Sequence, residues 1–359
     1  MWFLIIILWN HEDMSSYEVT IAIPVYNAER HIRETMDSIM EQTFPNIEIL
    51  ICDDCGYDQS IEIIHEYQHS HPRGKDIRIV RQPWNMGIGN ARNRLIDEAR
   101  GRYLYFMDAD DTISPYTIEL MVRSARECDA EFVYASYERI EVSDSGKTKS
   151  TMCCYPFLKF LNEDEFANFA YLKYDNIQAP VWNILMLVEV LRKNEIRFQP
   201  VNYWEDFAVS IDFPTYVTRV VLLPDVTYRY FCRSGSLSHF QERTVIRKEE
   251  IQQTIDLINK LKWSTERIKN ESYLPLRTYK VMLTEFYIAC TILHEEKKIR
   301  PAYTKREVRD IMRSPLRLPE VIRFKQALIP NLILHLFGVL PPSVSVFLIR
   351  MLGKRKGLI

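Results

Sequence analysis

The chain has 359 residues, 47% of them hydrophobic, which is enough to fill one large core or two modest ones. With 46 basic and 48 acidic residues it lacks the strongly basic surface of a general nucleic-acid binder, so no nucleic-acid partner is expected. The seven cysteines indicate neither a disulfide framework nor a zinc site. Cys52 and Cys55 lack histidine partners and are interpreted as small fillers in a reduced, cytoplasmic protein.

The first segment, residues 1–16, is interpreted as an N-terminal extension. Met1 to Trp9 is an apolar run too short to cross a bilayer, and it lacks the basic stretch of a secretory signal. Met14 stands shortly before the first predicted strand, so the segment before it is interpreted as a non-native extension or a frayed leader.

Strand-like and helix-like segments alternate from Glu18 to Met107. The strands are short apolar runs, and the helices repeat apolar residues at helical spacing. This alternation predicts parallel pairing with right-handed crossovers, hence an α/β fold with a doubly wound, mostly parallel sheet. The predicted strands are 18–24, 47–52, 77–81 and 103–107, and the predicted helices are 32–42, 61–67 and 90–99.

Polar side chains follow three of these strands at the point where each strand ends. They are Tyr26-Asn27, Asp53-Asp54 and the segment Asp108 to Asp111. Ligands of doubly wound sheets bind beyond the carboxyl ends of the strands, so the three clusters are predicted to line one site. Taken singly, Asn27 has the alternative of a turn residue and Asp54 that of a helix N-cap.

The segment Asp108 to Asp111 places three carboxylates within four positions. Such oxygens repel each other unless a cation lies among them, and Mn²⁺ or Mg²⁺ takes oxygen ligands while leaving positions for substrate phosphates. A nucleoside-diphosphate site is therefore predicted. The alternative, a surface turn in which Asp111 caps the helix after Pro115, explains only one carboxylate.

A glycine pair, Gly87-Ile88-Gly89, faintly suggests a dinucleotide fingerprint. It lacks the third glycine and follows a loop instead of the first strand. A Rossmann oxidoreductase is therefore disfavoured.

Taken together, these motifs resemble those of the inverting family 2 glycosyltransferases, which have the GT-A fold. The resemblance implies a Rossmann-like nucleotide-binding half and a nucleotide-diphosphate sugar as donor, above all a UDP-sugar. The residues that carry it are Ile23-Pro24-Val25-Tyr26-Asn27, Asp53-Asp54, Asn85-x-Gly87 with Ala91-Arg92-Asn93, and Asp108-Ala109-Asp110-Asp111.

The same resemblance implies roles for individual residues. Tyr26 and Asp54 would contact the base, and Arg92 would lie near the base or diphosphate. Asp108 would contact the ribose or the metal, and Asp110 the metal, with Mn²⁺ or Mg²⁺ as the cofactor. The residues implied to bind the nucleotide-sugar are Pro24, Tyr26, Asn27, Asp54, Asn85, Gly87, Arg92, Asp108, Ala109 and Arg233.

Weaker resemblance continues through two later stretches. Pro180-Val-Trp182-Asn183 is similar to an acceptor-side stretch of the family, although Ile184 stands where many relatives carry lysine. Glu205-Asp206 is similar to the family's acidic pair, whose aspartate is the catalytic base that takes the acceptor proton. The alternative is a helix N-terminus with acids that favour the helix dipole.

The stretch from Arg233 to His239 is similar to a family loop that closes over the donor diphosphate. Arg233 would supply charge there. His239 would complete the metal shell, and the alternative for it is a solvated loop histidine.

Beyond Gln241 the pattern becomes helical, so we predict a catalytic domain at 17–240 and a helical C-terminal region at 241–359. The tail 324–356 combines two apolar segments, split by Pro341-Pro342, with flanking basic residues. It predicts two short amphipathic helices that make peripheral contact with the inner face of the cell membrane. The alternative is a helical pair docked on the catalytic domain or on a second copy in a homodimer.

Three shorter segments are also predicted. Residues 144–151 read as a polar turn, and Asn162 as the N-cap of a helix. Val220 to Leu223 and Val226 to Phe231 read as two short strands separated by Pro224-Asp225.

These observations predict a glycosyltransferase that moves a sugar from a nucleotide-diphosphate sugar to an acceptor hydroxyl by metal-assisted single displacement with inversion. The setting of the family implies a surface polysaccharide or lipid-linked glycan as acceptor. One alternative is a nucleotidyltransferase, although no lysine-bearing, glycine-rich phosphate loop lies near the first strand. Another is a catalytically silent sugar-nucleotide binder that acts as a scaffold.

Overall fold

The structure, a computed structural model, describes residues 17–143, 146–172, 180–201, 205–233 and 244–359. Ten strands in these ranges form one sheet. They are β1 (Tyr17–Val25), β2 (Ile47–Asp53), β3 (Ile77–Arg81), β4 (Gly101–Phe106), β5 (Thr112–Ile113), β6 (Phe132–Val142), β7 (Thr148–Cys153), β8 (Leu158–Phe160), β9 (Ile184–Leu187) and β10 (Val220–Arg233).

The strand order is β3-β2-β1-β4-β9-β6-β10-β5, with β7 paired to β6 and β8 to β10. The first four strands are parallel, and the order reverses at β1, which lies between β2 and β4. Doubly wound sheets bind ligands in the crevice at such a reversal. The predicted α/β fold is confirmed in this half. Beyond β4 the sheet is mixed, because β9 runs antiparallel to both β4 and β6.

Helices cover both faces of the sheet and pack on two separate hydrophobic cores. The helices of the first core are α1 (Ile32–Met40), α2 (Ser60–Ser70) and α4 (Thr117–Cys128), and those of the second are α3 (Ile88–Glu98), α5 (Glu165–Leu172) and α6 (Val188–Lys193).

Strand β1 shows why the sheet is buried on both sides. Val19, Ile21 and Ile23 enter the first core, while Ala22 faces the second, and none of the four is exposed. Each large apolar side chain buried in this way contributes about 1.5–3 kcal/mol. The apolar run of β1 thus fixes it in the middle of the sheet, next to the reversal.

Two sequence predictions are wrong in detail. Residues 148–151 belong to strand β7, which is paired with β6 at the edge of the sheet. Val220 to Phe231 is one strand, not two, because a register shift between Leu223 and Val226 lets β10 continue past Pro224. Asn162, predicted as a helix N-cap, lies before α5, which begins at Glu165. Its side-chain amide donates to the carboxylate of Glu165.

The C-terminal region packs around a long central helix and has its own core. The two-residue strands β11 (Ile246–Arg247) and β12 (Ile299–Arg300) pair in parallel. The helices are α8 (Lys248–Trp263), α9 (Leu274–His294), α10 (Lys305–Ile311), α11 (Leu318–Ile322), α12 (Leu328–Val339) and α13 (Pro342–Arg355).

The tail forms two helices, α12 and α13, which meet at Leu340-Pro341 as the paired prolines predict. Both pack against α9, since Phe337 stacks on Phe286 and Arg350 donates to the carbonyl of Leu293. None of the helices in the described ranges has the length and hydropathy needed to cross a membrane. The predicted domain boundary at 240–241 lies outside the described residues.

Candidate active site

The carboxylate of Asp54 lies at the end of β2 and organises the loop that leads into α3. It accepts hydrogen bonds from the backbone N–H groups of Met86 (2.8 Å) and Gly87 (3.0 Å). Gly87 has φ +84°, a conformation that favours glycine. Because α2 begins only at Ser60, Asp54 is not its N-cap. Burial raises the pKa of Asp54, and the two backbone donors oppose this shift.

The second glycine of this loop, Gly89, permits close packing against the chain at Gln199. A Cβ atom at Gly89 would lie 2.5 Å from the carbonyl oxygen of Gln199, well inside van der Waals contact. The first turn of α3 can therefore approach the chain at Gln199 only without a side chain there. Asn85 supports the same loop, since its Oδ1 accepts from the N–H of Gly87 at 3.0 Å.

The end of β1 presents an aromatic surface beside Asp54. Tyr26 is 45% exposed, and its ring meets that of Tyr57 edge-on at 6.3 Å. Asn27 has φ +51°, and its Oδ1 accepts from the N–H of Tyr57 at 3.0 Å. Asn27 therefore occupies a turn, which was the alternative given for it in the sequence analysis. Pro24 lies one residue before the end of β1.

The segment Asp108 to Asp111, called the acid turn below, follows β4, and its three carboxylates have different surroundings. Asp111 is fully buried and accepts from the hydroxyl of Tyr228 (2.7 Å) and from the N–H of Phe231 (2.9 Å). Burial, with the charges of Asp108 and Asp110, raises the pKa of Asp111 well above its ordinary value. The alternative in which Asp111 caps the next helix is wrong, because this carboxylate joins the acid turn to β10.

Asp108 and Asp110 remain accessible, with side chains 26% and 45% exposed. Arg233 donates to the carbonyl oxygen of Asp110 at 2.8 Å, and its guanidinium lies 3.3 Å from the carboxylate. Burial and the charge of Asp108 raise the pKa of Asp110 to about 6. Ala109 between them is held from behind, since the hydroxyl of Thr35 donates to its carbonyl at 3.0 Å.

Arg92 connects the acid turn to a second acidic pair. It is 2% exposed and donates to Asp108 (3.2 Å) and to Glu205 (2.9 Å). Its guanidinium also lies over the ring of Phe198, 5.5 Å from the centroid. The resemblance placed Arg92 near the base or diphosphate, whereas the structure buries it beneath the carboxylates.

The second acidic pair opens helix α7 (Glu205–Ser210). Burial raises the pKa of both carboxyls, that of Glu205 to about 7, and the positive charge of Arg92 opposes both shifts. Glu205 is buried and Asp206 is half-buried. Glu205 is thereby joined, through Arg92 of α3, to Asp108 just after the end of β4.

The stretch at Trp182-Asn183 is internal. Asn183 donates to the carbonyls of Ala135 (2.8 Å) and Ser136 (3.2 Å), and its Oδ1 accepts from Tyr105 (2.9 Å) and Thr227 (3.0 Å). Its amide is therefore committed to joining β4, β6 and β10. Ile184 is buried in β9.

Tyr228 is a site residue that sequence reasoning missed. Its hydroxyl accepts from the N–H of Asp108 (3.2 Å) and donates to Asp111, and its ring stacks on Trp182 at 4.5 Å. The only local signal was the alternation of Tyr228 and Tyr230 in β10. Its role depends on a contact with a segment more than a hundred residues earlier.

The donor set fits a hard divalent cation in part. Asp108 and Asp110 supply accessible carboxylate oxygens, and burial together with the negative charge of Asp108 raises the pKa of Asp110. Across the described ranges no three His, Cys, Asp or Glu side chains are arranged to hold a metal. His239 lies outside the described residues, as do Asn202 to Trp204.

Residues 20–193 match the model of glycosyl transferase family 2. The chain is 27% identical over 230 residues to the glycosyltransferase GlyG of Streptococcus pneumoniae serotype 4. The aligned region covers 61% of this chain and 72% of GlyG. It is 32% identical over 127 residues to WfgD of Escherichia coli, and the aligned region covers 33% of this chain and 48% of WfgD. WfgD is named as a UDP-Glc:α-D-GlcNAc-diphosphoundecaprenol β-1,3-glucosyltransferase.

A crystal structure of Staphylococcus aureus TarS residues 1–349 in complex with UDP-GlcNAc has a similar fold. The TM-score is 0.67 at 17% identity, over 95% of this chain and 92% of that one. At this identity the likeness shows a shared fold and nothing more. Because 95% of this chain is covered, the shared fold includes the C-terminal helices.

Proposed function

Because this chain belongs to glycosyltransferase family 2, we propose that it transfers a sugar from a nucleotide-diphosphate sugar to an acceptor hydroxyl with inversion at the anomeric carbon. One observation carries the proposal: Arg92 joins Asp108 of the acid turn to Glu205, the neighbour of Asp206. Asp108, which we assign to the donor side, and Glu205, the neighbour of the proposed base, thus lie on either side of one guanidinium.

The proposed donor is a UDP-sugar. Its support is the likeness to TarS, solved with UDP-GlcNAc, and to WfgD, whose name specifies UDP-Glc. The exposed ring of Tyr26 offers a stacking face for the base, and Asp54 lies beside it. The name of WfgD also supports a lipid-linked glycan or growing surface polysaccharide as acceptor.

We assign Asp108 and Asp110 to Mn²⁺ or Mg²⁺, with His239 as a further ligand. Such a cation, when bound, neutralises the charge that gathers on the leaving diphosphate. Arg233, which is paired with Asp110, is assigned to the diphosphate as a second positive charge.

Asp206 is assigned as the catalytic base. It takes the proton of the acceptor hydroxyl while that oxygen bonds to the anomeric carbon and the bond to the nucleoside diphosphate breaks. Arg92 favours the ionised form of Asp206 against the effect of burial, as a base requires. One in-line displacement inverts the anomeric configuration and needs no protein nucleophile.

The test is an Asp206→Asn variant assayed with a panel of UDP-sugars and Mn²⁺. We expect kcat to fall roughly 10²- to 10⁴-fold while the Kd for UDP changes less than about twofold. Wild-type turnover must release UDP; release of pyrophosphate would identify a nucleotidyltransferase. UDP binding without turnover of any donor would favour the silent scaffold, and an Asp206→Asn variant as active as wild type would refute the base assignment.

We further propose that helices α12 and α13 rest on the membrane surface. Residues 321–359 contain six Lys or Arg residues and no Asp or Glu. On α13 Lys354 follows Phe347 and Met351 at helical spacing, so a basic residue ends the exposed apolar stripe. The exposed apolar residues of the two helices are Ile329, Ile333, Leu336, Val339, Val344, Phe347 and Met351.

Exposed apolar residues next to basic ones favour anionic lipid over a second copy of the chain as the partner of α12 and α13, because two such basic surfaces repel each other. Peripheral contact would hold the protein at the inner face of the membrane. Flotation with vesicles of phosphatidylglycerol and phosphatidylcholine tests this: the protein should float with the anionic vesicles, and a Phe347→Ser/Ile329→Ser variant should not.

Met152→Ser is the matched control, since Met152 is an exposed apolar residue on β7. Failure of the wild-type protein to float would refute the membrane contact. A dimer by light scattering that Phe347→Ser dissociates would identify the homodimer instead.

A further inference from the structure

The helix that carries Glu205 and Asp206 is held partly by the C-terminal region. Phe207 of α7 and Ile211, just after its end, pack into the core formed by α8 and α9. On the opposite side Val209 enters the second core beneath the sheet. The short helix is therefore clamped between two cores, only one of which belongs to the nucleotide-binding half.

A buried ion pair fixes the C-terminal end of this clamp. The Nε of Arg277, in α9, donates to Oδ1 of Asp212 at 2.7 Å, and Nη2 donates to the carbonyl of Leu261 at 3.1 Å. Arg277 is 1% exposed and Asp212 is buried as well. The N–H of Asp212 donates to the carbonyl of Val209 in α7 at 3.2 Å. The Arg277–Asp212 ion pair is therefore bonded directly to α7, the helix that carries Asp206.

A second bond secures the same segment. The hydroxyl of Tyr171, itself fully buried, donates to the carbonyl of Ile211 at 3.0 Å. Tyr171 packs against Tyr273, with ring centroids 5.8 Å apart, at the start of α9. The chain leaving α7 is thus held by two side chains whose positions depend on α9.

We propose that Arg277 is a positioning residue that sets the place of Asp206 through Asp212, which makes the C-terminal helical region part of the active site. This inference rests on the proposed role of Asp206. Arg277 donates to two acceptors, the carboxylate of Asp212 and the carbonyl of Leu261, and this fixes its geometry. Loss of one partner of a buried ion pair leaves a buried charge without compensation. Misplacement of a catalytic group by about 1 Å costs on the order of 10²-fold in rate.

The experiment compares Arg277→Met and Arg277→Lys with wild type. For Arg277→Met we expect kcat to fall roughly 10- to 100-fold with KM for the UDP-sugar within about twofold, because Asp54 and Asp108 are held by other elements. Arg277→Lys, which keeps one charged donor, should recover part of kcat. A loss of donor binding in parallel with kcat would overturn the proposal.

The matched control is Lys262→Met. Lys262 forms a buried ion pair with Glu285 at 2.8 Å between α8 and α9, of similar burial and in the same core, without a bond to α7 or Asp212. It should lose stability but keep kcat within about twofold. An equal fall in kcat for Lys262→Met would overturn the proposal, since general loosening of the region would then explain both.

A second measurement does not depend on turnover. Hydrogen exchange of the backbone amides in 207–212 should speed up at least about tenfold in Arg277→Met and remain as in wild type in Lys262→Met. If Arg277→Met does not fold, the neutral pair Arg277→Gln/Asp212→Asn replaces it with the same expectations. Unchanged exchange in Arg277→Met overturns the positioning role. Fast exchange in Arg277→Met, combined with a wild-type protein that transfers no sugar from any donor, would support the positioning role and refute the proposed function.

Discussion

At the scale of single residues, the site depends on charges that are shared. Arg92 is the partner of carboxylates on two elements, Asp108 after β4 and Glu205 in α7. A buried cation of this kind lowers the free energy of both ionised acids at once. Protonation at one end of the network therefore changes the electrostatic environment at the other.

Removal of Arg92 should change the pH dependence of transfer. In Arg92→Met the pKa of Asp206 and of Glu205 rises, because burial then acts without the opposing charge. Since the base must be ionised, the acidic limb of the kcat profile moves to higher pH, and the loss at pH 6 exceeds that at pH 8 by about tenfold.

Arg94→Met is the control for this change, because Arg94 lies on the same helix and pairs with the half-buried Glu98 on the surface of that helix. Its profile should match that of wild type. An acidic limb of Arg92→Met at the wild-type position would contradict the electrostatic role of Arg92.

Tyr228 anchors the acid turn, so loss of its hydroxyl should destabilise the fold. Tyr228→Phe leaves the buried carboxylate of Asp111 with one donor fewer, at a cost of about 1–3 kcal/mol in free energy of unfolding. Urea denaturation measures this. Tyr230→Phe, on the same strand but not bonded to Asp111, should cost less than about 1 kcal/mol, and equal losses would argue against the anchoring role.

At the scale of elements, the sequence predicted best where local pattern decides. Strands β1 to β4 and helices α1 to α3 follow apolar periodicity, and they were predicted within a few residues. Strand β7 was missed because Thr148–Cys153 is polar and mostly exposed, as an edge strand can be. Pro224 suggested a break in β10, whereas a bulge carries the strand past it.

The candidate site was predicted as a set of residues but not as a network. Asp54, Asp108, Asp110, Glu205 and Asp206 were all identified from motifs. Their bonds through Arg92, and the bonds of Asp111 to Tyr228, join residues far apart in the chain. No periodicity or spacing in one sequence reports such contacts, since they arise from tertiary packing.

The loop from β3 to α3 offers a test at this scale. Gly87→Ala places a side chain at φ +84° and should raise KM for the UDP-sugar at least about fivefold, because the N–H groups that hold Asp54 must shift. Gly146→Ala, at φ +74° in open space between β6 and β7, imposes similar strain away from the site. Steady-state kinetics should show a normal KM for Gly146→Ala; equal effects would contradict the loop's role.

At the scale of the whole molecule, the acid turn makes stability depend on cation and pH. The pKa of Asp110 is about 6, above the ordinary 3.8, so this group favours folding below pH 3.8 and loses that contribution as pH rises through 6. At pH 7.5 the metal-free protein therefore carries an unfavourable charge. Because the side chain of Asp110 is half-exposed, solvent screening reduces the effect of this charge on the free energy of unfolding.

Asp110→Asn should accordingly raise the Tm of the metal-free protein by roughly 1–3 °C at pH 7.5, and the difference should vanish near pH 4. The same substitution should abolish the rise in Tm that Mn²⁺ with UDP produces in wild type. Differential scanning fluorimetry with and without EDTA measures both. A Mn²⁺-dependent rise that persists in Asp110→Asn would refute its assignment as a ligand.

The bond between Tyr228 and Asp111 has a consequence for the order in which the protein acquires its structure during synthesis. The acid turn emerges long before β10, yet its buried carboxylate finds its donors only when β10 has docked beside β6. Long-range closures of this kind form late and slowly. A ribosome-bound chain that has not reached residue 231 therefore lacks at least one of the two donors that hold the carboxylate of Asp111, so the acid turn takes its final geometry only after β10 is made.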